Sequence, residues 1–296
     1  VRQRDFLLIV SAAVLWGGGG VVGRLLGDHT GIHPLSVALW RMVLGGAALL
    51  LFLAVTGRFR PRSMTAEMWR RAAITGALTA TFEAAFFSAL QFTSVGVTTL
   101  IGIGSTPVFV ALWDWLRSRE LPAGRTLLAF ALAVTGLGAL MAGSLNLGQN
   151  GLLGSLLALA TGVSFAAIAV VNRVPVEDFE PVVLTAWVFA TGAVFSALIA
   201  LPAGIGAPSD AKGWLLAALL GIVITAVAYV AFLTGLATVP PFVATILTLL
   251  EPMVATLLGV LILHERLGAL GIAGAVLLGT AVVLLRPERD EPETIH

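Results

Sequence analysis

The chain contains no cysteine, which excludes disulfides and cysteine-ligated metals. It is also short of charge: 11% of its 296 residues are Asp, Glu, Lys or Arg, against 58% hydrophobic. No stretch combines the length and polarity of a soluble domain. No GxxxxGK[ST] nucleotide cradle occurs, so ATP drive from within the chain, or an ATPase subunit partner, is not indicated. Neither HExxH nor GxSxG is present, which leaves enzyme chemistry without a metal site or an activated nucleophile. The apolar stretches lack clustered Lys or Arg, which argues against phosphorylated cargo, and no nucleic-acid partner and no cofactor are expected.

What the chain has is apolar length. Its mean hydropathy is +1.00, and ten stretches approach the ~20 residues that a helix needs to cross a bilayer. They run approximately over 5–26, 34–56, 69–92, 95–116, 124–143, 151–172, 181–202, 213–235, 240–263 and 268–286. The runs are continuous rather than alternating in polarity, so the expectation is an all-α membrane protein of ten transmembrane helices, not a barrel. The first run is too long for a signal-peptide core and lacks a small-residue cleavage pattern. With the N-terminus placed inside, thirteen Lys or Arg residues fall on the inner side and three on the outer, and Arg41 lies within the second span. Both termini are therefore expected in the cytoplasm of a bacterial inner membrane, with 287–296 a disordered polar tail.

Shifted by 145 residues, the two halves of the sequence come into register. Trp69 falls on Trp214, Gly76 on Gly221, Phe87 on Phe232, Thr93 on Thr238, Pro107 on Pro252 and Glu120 on Glu265. Slightly different shifts pair Pro34 with Pro181, Trp40 with Trp187 and Arg24 with Arg173. The expected organisation is a first five-helix repeat over 1–143, a loop over 144–150 and a second repeat over 151–286. Five spans per repeat is an odd number, so the second copy lies upside down relative to the first. Two inverted halves rocking about a central site is the architecture of alternating access, which points to a transporter.

The Trp16–Gly17 pair, the arginine of LWRMVLGG (39–46), STPVFVAL (105–112) and LEPMVATLLGVLILHERL (250–267) resemble the drug/metabolite transporter superfamily, EamA family. The resemblance covers nearly the whole chain and implies the ten-helix EamA fold. Within the family the chain looks most similar to bacterial amino-acid exporters, which implies small neutral, especially aromatic, amino acids as cargo. Alternatives are efflux of other neutral metabolites or cationic drugs, and a passive channel or scramblase-like pore. The first half carries Thr106-Pro107 where the second carries Glu251-Pro252, so the halves cannot contribute equal chemistry.

Polar groups inside the bilayer are expensive, which makes each a candidate for function. Glu83 and Glu251 fall in mid-span and suit a proton or an amino group, or a hydrogen bond between helices. Pro107 and Pro252 each remove a donor from the helix ladder and are expected to bend their helices as a pair, either as a gating hinge or only to let the helices curve around a cavity. Thr98, Thr99, Thr245 and Thr248 bind either a ligand or their own backbone. Gly17 to Gly20 either let helices pack closely or leave an open wall beside Trp16 for a bulky substrate, with Gly17 and Gly20 on the cavity. Trp16, Phe82, Phe86, Phe87, Phe165 and Tyr229, the only tyrosine, are expected to form an aromatic lining. Trp69 and Trp214 read as interfacial anchors. Arg41, by position, reads as a structural pair or a snorkelling side chain.

Overall fold

The structure, a computed structural model, describes residues 1–119, 122–142, 150–263 and 268–287. Twelve helical segments follow one another: α1 (Gln3–Thr30), α2 (Pro34–Val55), α3 (Ala66–Ala89), α4 (Val95–Ser118), α5 (Gly124–Met141), α6 (Gly151–Val171), α7 (Pro181–Ala200), α8 (Ala211–Ala218), α9 (Ala228–Gly235), α10 (Pro241–Leu247), α11 (Leu250–Leu263) and α12 (Ala269–Leu285). A π-helical stretch, Leu219–Val227, joins α8 to α9 in one continuous span, Ala211–Gly235. Nine helices among the described residues are long and apolar enough to cross a membrane, and α12 is a shorter apolar helix of 17 residues.

Local chemistry sets the helix starts. Thr65 and Ser94 accept from the backbone N–H of Met68 and Val97 at 3.2 and 3.3 Å, and Asp210 accepts from Gly213 at 2.9 Å. Pro34, Pro181 and Pro241 occupy the first turn of α2, α7 and α10, where a missing N–H costs nothing. Gly31, at φ +64°, closes α1 by returning its N–H to the Gly27 carbonyl at 2.8 Å.

The packing follows a pseudo-twofold pattern. The second helix of one half packs on the second of the other, α2 on α7, and the fifth on the fifth, α5 on α12. Glycines let these backbones touch. A Cβ on Gly136 would lie 2.7 Å from the Gly274 carbonyl, and one on Gly274 would lie 2.5 Å from the Gly136 carbonyl, a contact that is its own mirror across the two halves. Gly76 of α3 lies against the Val188 carbonyl of α7, and Gly221, its partner at the 145-residue offset, lies against the Arg41 carbonyl of α2. The fold is an all-α bundle of two inverted five-helix halves.

The span expected over 240–263 is broken. α10 stops at Leu247, a turn covers Thr248–Leu249, and α11 restarts at Leu250. Its counterpart α4 runs unbroken through Pro107. The two prolines therefore differ in their local setting: Pro252 sits in the first turn of a restarted helix, where its absent N–H is tolerated, and Pro107 sits in a helix interior. Most of the expected loop (143–149) and tail (288–296), together with Glu120, Glu265 and Arg266, lie outside the described residues.

Candidate functional site

Inside the bundle Arg41 of α2 meets Glu83 of α3, with Nη1 2.9 Å from Oε2. The Glu83 residue is 2% exposed, and the Arg41 guanidinium is the partner that offsets its burial. Arg41 also donates through Nε to Thr225 Oγ1 at 3.1 Å. Thr225 lies in the π-helical stretch and passes its own proton to the Leu220 carbonyl, five residues back, at 2.6 Å. The wide turn thus turns a threonine oxygen toward an arginine on another helix, a use of π geometry recurrent at functional sites. The offsets that match the repeats set Val188 opposite Arg41 and Ala228 opposite Glu83, so the ion pair belongs to one half only.

An aromatic cluster adjoins this pair. Trp16 of α1 meets Tyr229, Phe232 and Phe165 with ring centroids 5.2, 5.4 and 5.8 Å apart. Phe165 stacks on Phe232 at 5.4 Å and touches Phe82 at 5.5 Å, and Phe189 closes on Tyr229 at 5.2 Å. Tyr229 lies beside Thr79, whose own proton goes to the Thr75 carbonyl at 2.8 Å. Glu251, at the start of α11, is half-buried and lies within electrostatic reach of Arg41, Glu83 and Tyr229. Trp16 Nε1 is buried without a hydrogen-bond partner among the described residues.

Several sequence expectations converge here: Trp16, Glu83, Phe165, Tyr229 and Glu251. Others do not. Phe87 touches Phe86 at 5.8 Å and stands outside the ring of contacts around Trp16. Thr245 and Thr248 spend their protons on their own helix, on the Pro241 and Phe242 carbonyls and on the Thr245 carbonyl at 2.8 to 3.0 Å. Thr99 is buried, and the hydroxyl of its neighbour Thr98 has no hydrogen-bond partner among the described residues. Gly17 is not an open wall: a Cβ there would meet Val254 Cβ at 2.6 Å and the Glu251 carbonyl at 2.8 Å, so the close-packing reading is the one that holds. The surroundings of Gly20 and Arg24 lie outside the described residues. Thr79, Thr225 and Phe232 are additional residues of the site. Phe232 had a signal in its repeat match to Phe87, and the threonines had none.

The EamA-like transporter family model matches residues 4–142 and again 152–286. The chain belongs to the EamA-like transporter family. Among its relatives, the uncharacterized transporter YwfM of Bacillus subtilis is 28% identical over 288 residues, 96% of this chain and 95% of the relative. An uncharacterized transporter of Archaeoglobus fulgidus is 29% identical over 277 residues, 93% of this chain and 94% of its own length. A solved crystal structure, 19% identical, superposes with a TM-score of 0.78 over 96% of each chain, which shows a shared fold. The family and the names of these relatives are those of transporters, and the bundle is multi-pass. In this EamA-like bundle, Arg41, Glu83 and Glu251 stand where membrane transporters of other folds place charge, inside and near a helix break.

Proposed function

We propose that the protein exports small neutral amino acids, aromatic ones foremost, across a bacterial inner membrane by alternating access, with both termini in the cytoplasm. The observation that carries this is the juxtaposition of a wall of Trp16, Phe165, Tyr229 and Phe232 with charges of both signs. An apolar wall with a few fixed polar groups suits a small amphipathic solute. Anion and cation together suit a zwitterion better than a simple anion. The broken ninth span supports alternating access, because a helix that already restarts at Leu250 can reorient one half against the other.

Counterflow tests the reading. Liposomes holding the purified protein are preloaded with unlabelled phenylalanine and labelled phenylalanine is added outside. Transient accumulation above protein-free liposomes is expected, and a flat signal from folded protein refutes phenylalanine as cargo. One observation favours a second reading: the described charges of the cluster are two carboxylates and one guanidinium, a surplus of negative charge that suits a cationic drug. Competition separates the two, since a lipophilic cation displaces labelled phenylalanine only if the surplus charge binds it.

A further inference from the structure

We infer that Trp16 and Glu251 form a two-point receptor for the backbone of an α-amino acid, the indole N–H donating to its carboxylate and the Glu251 carboxylate accepting its ammonium group. This rests on the amino-acid reading above and adds which residue holds which end of the solute.

Trp16 Nε1 is a buried donor with no hydrogen-bond partner among the described residues, and the Glu83 carboxylate is engaged by Arg41 at 2.9 Å. An unpaired buried donor is costly, and such groups recur where a ligand completes the bonding. Glu251 presents the complementary deficit. Its side chain makes no hydrogen bond among the described residues, and the guanidinium within its reach is spent on Glu83.

The two deficits are brought together by the chain. Gly17 lies directly against the Glu251 carbonyl, and the Trp16 indole, one residue earlier, meets Tyr229 with ring centroids 5.2 Å apart, a tyrosine within electrostatic reach of Glu251. The break at Thr248–Leu249 places Glu251 in the first turn of a helix inside the bundle, half-buried where Glu83 is buried. A donor lacking an acceptor and a carboxylate that makes no hydrogen bond are satisfied together by one small solute bearing carboxylate and ammonium on adjacent atoms. The rings of Phe165, Phe232 and Tyr229 then offer its side chain an apolar wall. A simple amine satisfies Glu251 alone, and a simple carboxylate satisfies Trp16 alone.

The test uses three matched probes: phenylalanine, phenethylamine and 3-phenylpropionate. Each is assayed on purified full-length protein by ligand-induced thermal stabilisation and by competition in counterflow. In the wild type, phenylalanine should bind about tenfold or more tighter than either one-ended analogue, the usual worth of a hydrogen bond to a charged group. Glu251→Gln should abolish the response to phenethylamine and bring phenylalanine down to the level of 3-phenylpropionate, with Glu251→Asp recovering part of the loss. Trp16→Phe, which keeps a ring and removes the N–H, should bring phenylalanine down to the level that phenethylamine reaches in the same variant.

Phenylalanine counterflow with unaltered affinity ratios in both variants would overturn the receptor and leave the amino-acid reading standing. Wild type that ignores phenylalanine but is stabilised by phenethylamine through Glu251 would overturn the amino-acid reading and the Trp16 half, and retain Glu251 as an ammonium receptor. Wild type that binds none of the three overturns both.

Discussion

Arg41 and Glu83 stabilise each other only as a pair. Glu83 is buried and Arg41 partly buried among apolar helices, and removing one leaves the other a lone charge in a medium that solvates it poorly. Arg41→Gln and Glu83→Gln are each expected to lower stability by about 3–5 kcal/mol, and the double replacement Arg41→Met/Glu83→Leu to cost less than either single change. Thermal unfolding of the three purified variants in detergent checks this, and a double variant less stable than both singles would contradict it. Glu83, Glu251 and Tyr229 were legible in the sequence because a polar group in an apolar run stands out. The partner of Arg41 was not legible, because the pairing joins two helices 42 residues apart and helical periodicity carries no information on which faces meet. Thr225 was less legible still, since its orientation depends on a π-helical turn that no residue pattern announces.

At the scale of helices, small residues set how closely the backbones approach. Gly76→Ala places a methyl against Thr191 and 2.7 Å from the Val188 carbonyl, and Gly221→Ala places one 2.9 Å from the Arg41 carbonyl. Both carbonyls belong to the backbone, so each helix must move. A cost of about 1–3 kcal/mol is expected for each, whereas Gly138→Ala, which meets nothing within 4 Å, should be neutral or slightly stabilising. Unfolding temperatures of the three variants test the contrast. The spans themselves were read from apolar length to within a few residues, because a bilayer imposes one length on every crossing. The break before Glu251 was missed in form: proline marks where a helix ladder loses a donor, but the same residue tolerates a continuous helix at Pro107 and a restart at Pro252. The difference lies in the neighbours that absorb the freed carbonyls, which the sequence does not display.

For the whole molecule, both ends of the bundle are tied across its two halves. At the arginine-rich end Arg58 pairs with Glu180 at 3.2 Å, Arg173 with Asp114 at 2.8 Å, and Thr238 donates to Asp5 at 2.7 Å. At the opposite end His29 meets Asp210 at 2.8 Å and Trp40 donates to the Gly206 carbonyl at 2.9 Å. The Gly213 N–H foremost, and then His29, hold the Asp210 carboxyl below the ordinary aspartate range. A carboxyl held low in the folded state contributes its stabilisation above that ordinary range and loses it as pH falls through the lowered value. The stability difference between wild type and Asp210→Asn should therefore be full at neutral pH and shrink as pH falls below the ordinary aspartate range, read as unfolding temperature against pH. A difference that does not shrink on acidification would remove Asp210 as its source.

Rocking of the halves requires one set of ties to part while the other holds. The absence of cysteine makes this directly testable, since His29→Cys/Asp210→Cys has only the two introduced thiols. Bridging them with a short, reducible bifunctional thiol reagent should stop counterflow, and reduction should restore it. Each single-cysteine variant treated alike should keep transporting, because the block must come from joining the halves rather than from occupying the surface. Counterflow that continues in fully bridged protein would mean that this end never opens, and a solute path that uses only the arginine-rich end cannot be alternating access.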